Sequence, residues 1–590
     1  MTPISEPNRV GVFVCHCGVN IGSIVDVPSV VEFAKTLPEV AYVEENMYLC
    51  SEAGLESIKD AITKHCLNKV VIAACTPRTH ETLLKETCQE AGINPYLLEI
   101  ANIREQCSWV HLDEPKKATE KAKNIVRMAV EKVRLLEPLE EPEIGVKDSV
   151  LVIGGGVSGL TAALSLANQS INVFLIEKEA DVGGVARTLN EVYPTFQKAS
   201  DVMEPLIDAA KAHKNIKIFA STTLKDIKGF AGNFHVTALK EKTPLELEAG
   251  AIIVACGAWN YEPAKGMYQY GVHKGVVRHL ELEKMLREGT LKKPERVVMI
   301  QCVGSRTGEL WGHEIPSLVQ SDAARLLTKL LAKKEEGWPH CSKICCMNSV
   351  KNAILIKKLY PDADVCILYS DLRTYKGYED FYAKARDLEV RFIKYELETK
   401  PKVTQQPDGK LKVTVYEPLA GREIDFISDL VVLATPLIPS KEGILLSRML
   451  KVPLAPDGFF MEAHPKVRPV GAHSEGVFVV GTASGPRDIP ESIASAKAAA
   501  AKVSTFISKG KFRTEGIIAT VDSDLCIGCG LCEELCPYGA AKIEEAKSVI
   551  IKVLCRGCGI CAAECPEQAI TMRHFTDKQI LAQIKAALAG

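Results

Sequence analysis

The stretch SVLVIGGGVSGLTAALSLA, residues 149–167, joins an apolar run, a cluster of glycines and a second apolar run. It carries Gly154-x-Gly156-x-x-Gly159 directly after the first run. Glycines at this spacing permit a tight turn, the close approach of a pyrophosphate and the packing of a helix on a strand. The stretch is long enough to imitate a membrane span, but its glycines favour a strand, a turn and a buried helix. We therefore predict a dinucleotide-binding α/β fold.

The sequence after this stretch contains further motifs that are typical of a flavin site. Glu177 ends the next apolar run, INVFLIEK, 18 residues beyond Gly159, where an acid can bind ribose hydroxyls. With DVGGVART, IIVACGAW and GVFVVGTASGPRDIPES, the segment resembles the FAD half of the thioredoxin reductase family, so we expect FAD rather than NAD. That family usually has Gly-Asp where this chain has Gly481-Thr482, which leaves the ribitol contact open. The expected cofactor-binding residues are Gly154, Gly156, Gly159, Glu177, Lys178, Gly183, Gly184, Arg187, Gly257, Gly481 and Ile489.

Composition excludes several classes of protein. At 590 residues the chain is too long for one hydrophobic core, so we expect three to five domains. A net charge of -2 supplies no electrostatic argument for nucleic acid or an anionic membrane. The start, MTPISEPNRV, has no basic-then-apolar signal, so we expect a cytoplasmic protein. In that setting, 21 cysteines indicate metal ligation or redox chemistry rather than structural disulfides.

The last part of the chain contains the one internal repeat, a C-x2-C-x2-C-x3-C-P run that occurs twice. Thiolates at this spacing hold three corners of a [4Fe-4S] cubane, and the fourth ligand comes from the partner run. The segment resembles a bacterial two-cluster ferredoxin. We therefore predict one cluster on Cys526, Cys529, Cys532 and Cys565, and a second on Cys555, Cys558, Cys561 and Cys536.

Two features of a disulfide reductase are missing. No cysteine pair follows Gly184, and no C-x-x-C occurs before residue 526. The strand expected to hold NAD(P)H reads VVMIQCVGSRTGEL, in which Gly304 stands alone. A direct reaction with NAD(P)H is therefore disfavoured.

Several longer motifs resemble the A subunit of heterodisulfide reductase, which is the FAD and iron-sulfur subunit of methanogens and of related bacterial complexes. They are CHCGVNI, ACTPRTHE, NPYLLEIANIREQCSWVH, QCVGSR, CSKICCM, EDFYAKARDLEVRFI and GPRDIPESIA, spread over nearly the whole chain. In that family the subunit routes electrons at its flavin, which can split a pair between a high-potential and a low-potential acceptor. This chain lacks the ferredoxin module that methanogen versions insert into the flavin domain.

The resemblance implies a further [4Fe-4S] site on Cys302, Cys341, Cys345 and Cys346 beside the flavin. Cys302 ends a predicted strand, where open α/β sheets place ligands, and Cys346 can reach the site only if a helix starts there. Cys302 as a buried strand thiol is the alternative. The resemblance also places Lys351 near the flavin N5, as a catalytic cation; a solvated helix lysine is the alternative.

One more cluster is implied in the N-terminal region, where five cysteines compete for four places. We favour Cys17, Cys50, Cys75 and Cys107, with Cys15 as the alternate. Four other cysteines have no partner at a motif spacing, and we interpret them as core thiols: Cys66, Cys88, Cys256 and Cys366.

The predicted fold is an α/β multidomain protein with a thioredoxin reductase-like, FAD-binding Rossmann core. It divides into an N-terminal α/β iron-sulfur domain (1–140), a FAD-binding domain in two parts (148–290 and 421–512), an inserted degenerate nucleotide-binding-like domain with a cluster site (291–420), and a two-cluster ferredoxin domain with a C-terminal helix (514–590).

The predicted function is electron transfer within a heterodisulfide reductase-like complex, with FAD and four clusters switching two-electron to one-electron transfer. The resemblance implies B and C subunits, an electron-input subunit (hydrogenase, formate dehydrogenase or NADH module), ferredoxin, and a homodimer within the complex. The alternatives are an NAD(P)H-dependent, ferredoxin-type flavoprotein reductase, a subunit of a quinone-interacting oxidoreductase complex, and an iron-sulfur scaffold with a vestigial flavin fold.

Overall fold

The computed structural model describes residues 7–141, 143–241, 243–307, 337–514 and 516–589. These residues form two compact units. Unit 1 joins the two ends of the chain, residues 1–144 and 513–590, and unit 2 is the middle, residues 145–512. The sequence did not indicate that the N-terminal and ferredoxin-like regions share a unit.

The N-terminal part of unit 1 is a parallel four-stranded sheet in the order Val40–Asn46, Val10–Cys15, Lys69–Ala74 and Leu98–Asn102. The two central strands are buried along their whole length, as expected for a sheet covered on both faces. Side chains cap several of the covering helices: Asp26, Ser51 and Thr76 each accept a hydrogen bond from the first turn. The helices are Val19–Gly22, Val27–Ala34, Glu52–Lys64, Pro77–Glu90 and Pro115–Val133, with a π-helix at Arg104–Ser108.

The C-terminal part of unit 1 has the two-fold repeated form of a small ferredoxin. Two antiparallel strand pairs, Ala519–Val521 with Ile570–Met572 and Ala541–Glu544 with Lys547–Ile550, accompany the short helices Leu531–Leu535 and Ile560–Ala563. A last helix, Asp577–Leu588, packs on Pro115–Val133. Gln579 Nε2 donates to the Leu135 carbonyl at 3.0 Å, which ties the two ends of the chain together within the unit.

The first sheet of unit 2 is five-stranded and parallel, in the order Ile216–Phe219, Asn172–Ile176, Ser149–Ile153, Ala251–Val254 and Val477–Val479. Its last strand comes from late in the chain, so the chain leaves this sheet and returns to it. The predicted buried helix is Val157–Ala167, and Ile489–Ser508 packs on it. The helix Ala199–Ala212 and the antiparallel strands Thr222–Phe230, Asn233–Lys240 and Thr243–Ala249 complete this part.

The second sheet of unit 2 is also five-stranded and parallel, in the order Val276–Arg278, Leu430–Leu433, Arg296–Ile300, Asp364–Tyr369 and Arg391–Lys394. Two of its strands, Val276–Arg278 and Leu430–Leu433, lie outside the predicted insertion 291–420, one before it and one after it. The sequence did not indicate them, because strands of three or four residues carry little sequence signal. The accompanying elements are the helices His279–Glu288, Cys345–Leu359 and Glu379–Asp387 and the antiparallel strands Lys402–Gln405, Leu411–Glu417 and Arg422–Ser428. The helix Lys441–Leu450 packs on the strand Thr222–Phe230 of the first part.

The apolar stretch 149–167 is a buried strand, a turn and a helix of 11 residues. Across the part of the chain that the structure describes, no helix combines the length and apolar character needed to cross a bilayer.

Candidate cofactor sites

A cavity of about 830 Å³ opens at the carboxyl ends of the first sheet of unit 2, where open α/β sheets bind their ligands. Eight of the eleven predicted cofactor-binding residues line it: Gly154, Gly156, Glu177, Lys178, Gly184, Arg187, Gly257 and Ile489. Its size and the glycine turn at its wall fit a dinucleotide.

The other three predicted residues shape the cavity from behind. A Cβ at Gly159 would lie 1.8 Å from the carbonyl oxygen of Gly154, so only glycine allows the helix to approach the turn. Gly183 donates its N–H to the Gly155 carbonyl at 2.8 Å and has φ +127°. A Cβ at Gly481 would meet the Ser158 hydroxyl at 2.1 Å. Their role is therefore close packing rather than ligand contact.

Glu177 is 8% exposed and lies at the cavity wall. Its Oε2 accepts a hydrogen bond from the Gly155 N–H at 2.7 Å, and its Oε1 accepts from the Glu179 N–H at 2.9 Å. The acid therefore fixes the glycine turn at the cavity wall, and its binding of ribose hydroxyls stays a prediction.

Sequence reasoning missed several residues of the cavity wall. Thr482 lines it at the position where the resembling family has an acid. Asp488 also lines it and caps the helix Ile489–Ser508, accepting from the Glu491 N–H at 2.7 Å. The capping-box pattern Asp-Ile-Pro-Glu in GPRDIPES was the available signal for Asp488. Trp259, on the short strand Ala258–Asn260, ends the motif IIVACGAW, which was the available signal for it. Nothing in the sequence pointed to Tyr193, which the fold brings to the wall from a turn.

The thiols of Cys302, Cys341, Cys345 and Cys346 come together beside this cavity. Burial raises the pKa of Cys345, and the negative charges of the other three thiolates raise it further. The helix Cys345–Leu359 begins at Cys345, which is the condition under which Cys346 can reach the group. Residues 308–336, between Cys302 and Cys341, lie outside the described ranges.

The thiol group and the cavity share a wall. Ile344 and Asn348, on the first turn of the helix that carries Cys345 and Cys346, line the cavity. Tyr193 lines it as well, and the charge of Cys345 is among the causes that raise the pKa of Tyr193, after burial and the charge of Asp488. A cofactor in the cavity and a cluster on these thiols would therefore be neighbours.

Lys351 is not the solvated helix lysine that the sequence allowed, because it is 1% exposed. Its ammonium pairs with the carboxylate of Glu283, itself 3% exposed, and donates to the Glu191 carbonyl at 2.8 Å. Burial lowers the pKa of Lys351, and Glu283 opposes that shift. Glu191, not Lys351, lines the cavity. A contact from Lys351 to the flavin stays a prediction.

Four thiols gather in the N-terminal part of unit 1, but they are not the favoured set. Burial raises the pKa of Cys15, and the charges of Cys17 and Cys50 add to the shift. The pKa of Cys50 is raised by burial and by the charges of Cys75 and Cys17. The Cys17 N–H donates to the Cys15 sulfur at 3.3 Å, so the alternate, Cys15, belongs to the group.

Cys107 is not among the thiols whose charges act on one another. Its side chain is 0% exposed and belongs to the apolar core under the helix Pro115–Val133. Burial raises its pKa to about 11, and the opposing charge is that of Lys121 rather than a cysteine. Cys107 lies on the π-helix Arg104–Ser108, and its side chain turns inward.

The C-terminal thiols gather as the repeat predicted. Cys526, Cys529 and Cys532 share one small cavity with Cys565 of the second run. Burial raises the pKa of Cys561 to about 11, with further contributions from the charges of Cys555, Cys558 and Cys536. Backbone N–H groups donate to Cys526 and Cys536 at 3.3 and 3.2 Å. All-thiol sets with N–H donors to sulfur fit [4Fe-4S] clusters.

Of the four cysteines predicted to be core thiols, Cys88 and Cys366 are fully buried. Cys66 is exposed, because it follows the end of the helix Glu52–Lys64. Cys256 lines the large cavity. Within the described ranges, no group of three or more His, Cys, Asp or Glu side chains is arranged to hold a single metal ion.

Two family models match the chain: pyridine nucleotide-disulphide oxidoreductase over residues 148–300 and 4Fe-4S binding domain over residues 519–542. The fold and the sites thus define an oxidoreductase that carries FAD and [4Fe-4S] clusters.

Relatives identify the family within that class. The chain is 37% identical to the second iron-sulfur A subunit of the CoB--CoM heterodisulfide reductase of Methanopyrus kandleri, over 92% of this chain and 93% of that protein. It is 37% identical to the A subunit of the H(2):CoB-CoM heterodisulfide,ferredoxin reductase of Methanothermobacter marburgensis, over 99% and 98%. The chain belongs to the family of heterodisulfide reductase A subunits. The second alignment spans 673 positions against 590 residues here, so that relative has residues that this chain lacks.

Solved structures that resemble the chain include thioredoxin reductases of T. acidophilum (TM-score 0.40, 17% identity, 61% of this chain and 99% of that one) and Lactococcus lactis (TM-score 0.41, 17% identity, 62% and 100%).

The family membership and the matched domains confirm the predicted fold class, the electron-transfer function, the oxidoreductase class and the cofactor types.

Proposed function

We propose that this chain couples two-electron chemistry at FAD to single-electron transfer through four [4Fe-4S] clusters, and that its flavin site can split an electron pair between two acceptors. The observation that carries the proposal is the wall shared by the cavity and the thiols of Cys302, Cys341, Cys345 and Cys346. FAD supplies the exchange between paired and single electrons, which clusters alone cannot perform.

The chain's own residues would bind and orient the flavin. Gly154, Gly156 and the N-terminus of the helix Val157–Ala167 suit the pyrophosphate, and Glu177 suits the ribose. Asp488 is 4% exposed and accepts a hydrogen bond from the Tyr378 hydroxyl at 2.8 Å. That bond fixes one end of the cavity wall beside the thiols.

Each proposed cluster has a set of four thiol ligands. In the N-terminal set Cys15 takes the place of Cys107, because Cys107 lies in the apolar core and Cys15 lies among the other three thiols. The sets are Cys15, Cys17, Cys50 and Cys75; Cys302, Cys341, Cys345 and Cys346; Cys526, Cys529, Cys532 and Cys565; and Cys555, Cys558, Cys561 and Cys536.

The proposed setting is a heterodisulfide reductase-like complex in the cytoplasm. The names of the relatives describe A subunits and mention H(2), ferredoxin and the CoB-CoM heterodisulfide. By that analogy we propose B and C subunits, an electron-input subunit (hydrogenase, formate dehydrogenase or NADH module), ferredoxin as an acceptor, and a homodimer of this chain.

The test follows electrons out of the flavin. The FAD of the purified, cluster-loaded chain is photoreduced anaerobically with a sacrificial amine such as EDTA, which supplies the electrons and is itself oxidised. Electron paramagnetic resonance then measures the reduced clusters. In the wild type we expect reduced clusters to form as the flavin reoxidises. In Cys345→Ala we expect FAD to bind and to be photoreduced, with the appearance of reduced clusters slowed at least tenfold.

Cys366→Ala is the matched control. Cys366 is a fully buried thiol on the strand Asp364–Tyr369 of the second sheet of unit 2, and it belongs to none of the four ligand sets. Equal transfer in Cys345→Ala and in the wild type would refute the proposal. Rapid bleaching of the isolated chain's flavin by NAD(P)H would instead favour a self-contained reductase.

A further inference from the structure

Arg104 is a cation in direct contact with the N-terminal thiols. It begins the π-helix Arg104–Ser108, and its Nη1 donates to the Cys17 sulfur at 3.4 Å. Its side chain is 17% exposed, and its charge also acts on Cys50. A guanidinium is always charged, so this cation is a permanent part of the site.

Two neighbours hold the guanidinium in this orientation. Its Nε and Nη2 donate to Glu105 Oε1 at 3.1 and 2.7 Å, and its Cζ lies 4.6 Å from the centre of the Trp109 ring. The pairing with Glu105 uses the two nitrogens that do not face Cys17. The fork therefore leaves Nη1 to the sulfur, an arrangement that a lysine cannot reproduce.

Glu105 makes the site sensitive to the loss of this arginine. Its carboxylate is 27% exposed, and its Oε2 is buried with no hydrogen-bond partner among the described residues. If Arg104 were neutral, the thiols would lose a cation and would keep an anion nearby. The lost cation and the unneutralised anion would both disfavour the addition of negative charge to the site.

We infer that Arg104 sets the reduction potential of the N-terminal cluster by donating to a ligand sulfur and by placing a fixed positive charge at the site. The inference rests on the N-terminal cluster of the proposed function. Reduction adds one electron to a thiolate-bound cluster, and hydrogen bonds to sulfur and the local net charge set its potential. Arg104 stabilises the reduced form and raises the potential.

The test is an anaerobic redox titration of the full, cluster-loaded chain, followed by electron paramagnetic resonance. The N-terminal cluster is identified as the signal that is lost in Cys50→Ala. In Arg104→Gln we expect its reduction equilibrium to shift at least tenfold toward the oxidised form, which is about 59 mV for one electron. Arg104→Lys keeps the charge without the fork, and we expect a smaller shift in the same direction.

Arg127→Gln is the matched control. Arg127 belongs to the same unit and lies 5.8 Å from the Phe33 ring, and its Nη2 bonds Asn124 rather than a thiol. We expect no shift there. A midpoint in Arg104→Gln that moves no further than in Arg127→Gln, with the iron content intact, overturns the inference.

If Arg104→Gln fails to retain the cluster, Arg104→Lys decides. A lowered midpoint in that variant supports the inference, and an unchanged midpoint or loss of the cluster there too overturns it. A wild-type chain with about twelve irons instead of about sixteen, counted on cubanes, and no signal that depends on Cys50 would refute the N-terminal cluster itself, and the inference with it.

Discussion

The two parallel sheets of unit 2 have the same number of strands but differ in the residues that follow their central strands. In the first, the strand Ser149–Ile153 runs into the glycine turn that begins at Gly154. In the second, the strand Arg296–Ile300 is followed by Gln301 and Cys302, which carries a thiol and has φ +58°. We therefore propose that one architecture serves a dinucleotide or a cluster, depending on the few residues at the carboxyl end of a strand.

The interiors of the two parts differ as well. Each sheet has an apolar core cluster, and beside the first sheet the buried carboxylates of Glu177 and Asp488 accept hydrogen bonds from neutral groups. Beside the second sheet, Lys351, Glu283 and His279 are buried together with the polar side chains of Gln301 and Ser349. His279 Nε2 and the Ser349 hydroxyl lie 2.8 Å apart. The second part should therefore respond more strongly to pH and to the loss of a charge.

The largest effect is expected at Gly159 of the first sheet. A Cβ there would overlap the Gly154 carbonyl oxygen at 1.8 Å, so Gly159→Ala should open the turn and abolish FAD binding while the iron content stays. Flavin absorbance and iron assays on the purified variant measure both. Gly377→Ala is the control, because a Cβ there meets nothing within 4 Å. Full FAD occupancy in Gly159→Ala would show that the close approach of helix and turn at the first sheet is not needed for FAD binding.

The reciprocal change, Cys302→Ala, should remove one cluster and leave the flavin. We expect the iron content to fall by about four atoms, one cubane, with FAD absorbance unchanged. Cys366→Ala in the neighbouring strand should lose none, since its thiol belongs to none of the four ligand sets. Unchanged iron in Cys302→Ala would mean that the strand end of the second sheet is not a ligand position.

The sequence predicted these sites unevenly, for physical reasons. The glycine turn and the C-terminal runs are local patterns, so Gly154 and Cys526 could be recognised without a fold. Cys15 could not be preferred over Cys107, because only the packing of the π-helix shows which side chain turns inward. The burial of Lys351 depends on Glu283, 68 residues away, and no spacing rule connects the two.

A smaller effect is expected from the buried ion pair. Lys351→Met leaves the carboxylate of Glu283 buried without its cation, which costs about 3–5 kcal/mol of stability. Adding Glu283→Gln should recover much of that loss. The exposed pair of Lys211 and Asp181 beside the first sheet, at 2.9 Å, provides the control, since Lys211→Met should cost no more than about 1 kcal/mol. Thermal midpoints of the full chain test the ranking, and equal losses in the two lysine variants would contradict it.

The smallest effect is a pH dependence that arises at His279. Burial, with a contribution from the charge of Lys351, lowers its pKa from 6.5 to about 3. Between these values the unfolded chain binds more protons than the folded chain, so stability rises with pH across this window. As the pH falls below about 6.5, His279 should lower the free energy of unfolding by up to about 1.4 kcal/mol per pH unit.

His279→Gln keeps a hydrogen-bonding group near Ser349 without a proton to gain. Its thermal midpoint should therefore fall less than that of the wild type between about pH 7 and about pH 5.5, the upper part of this window. His235→Gln, at an exposed position on an antiparallel strand of unit 2, should follow the wild type. Acid acts on the clusters of all three proteins alike, so a difference between their pH profiles reports His279. If the thermal midpoints of His279→Gln and of the wild type fall equally with pH, His279 does not make the second sheet more sensitive to pH than the first.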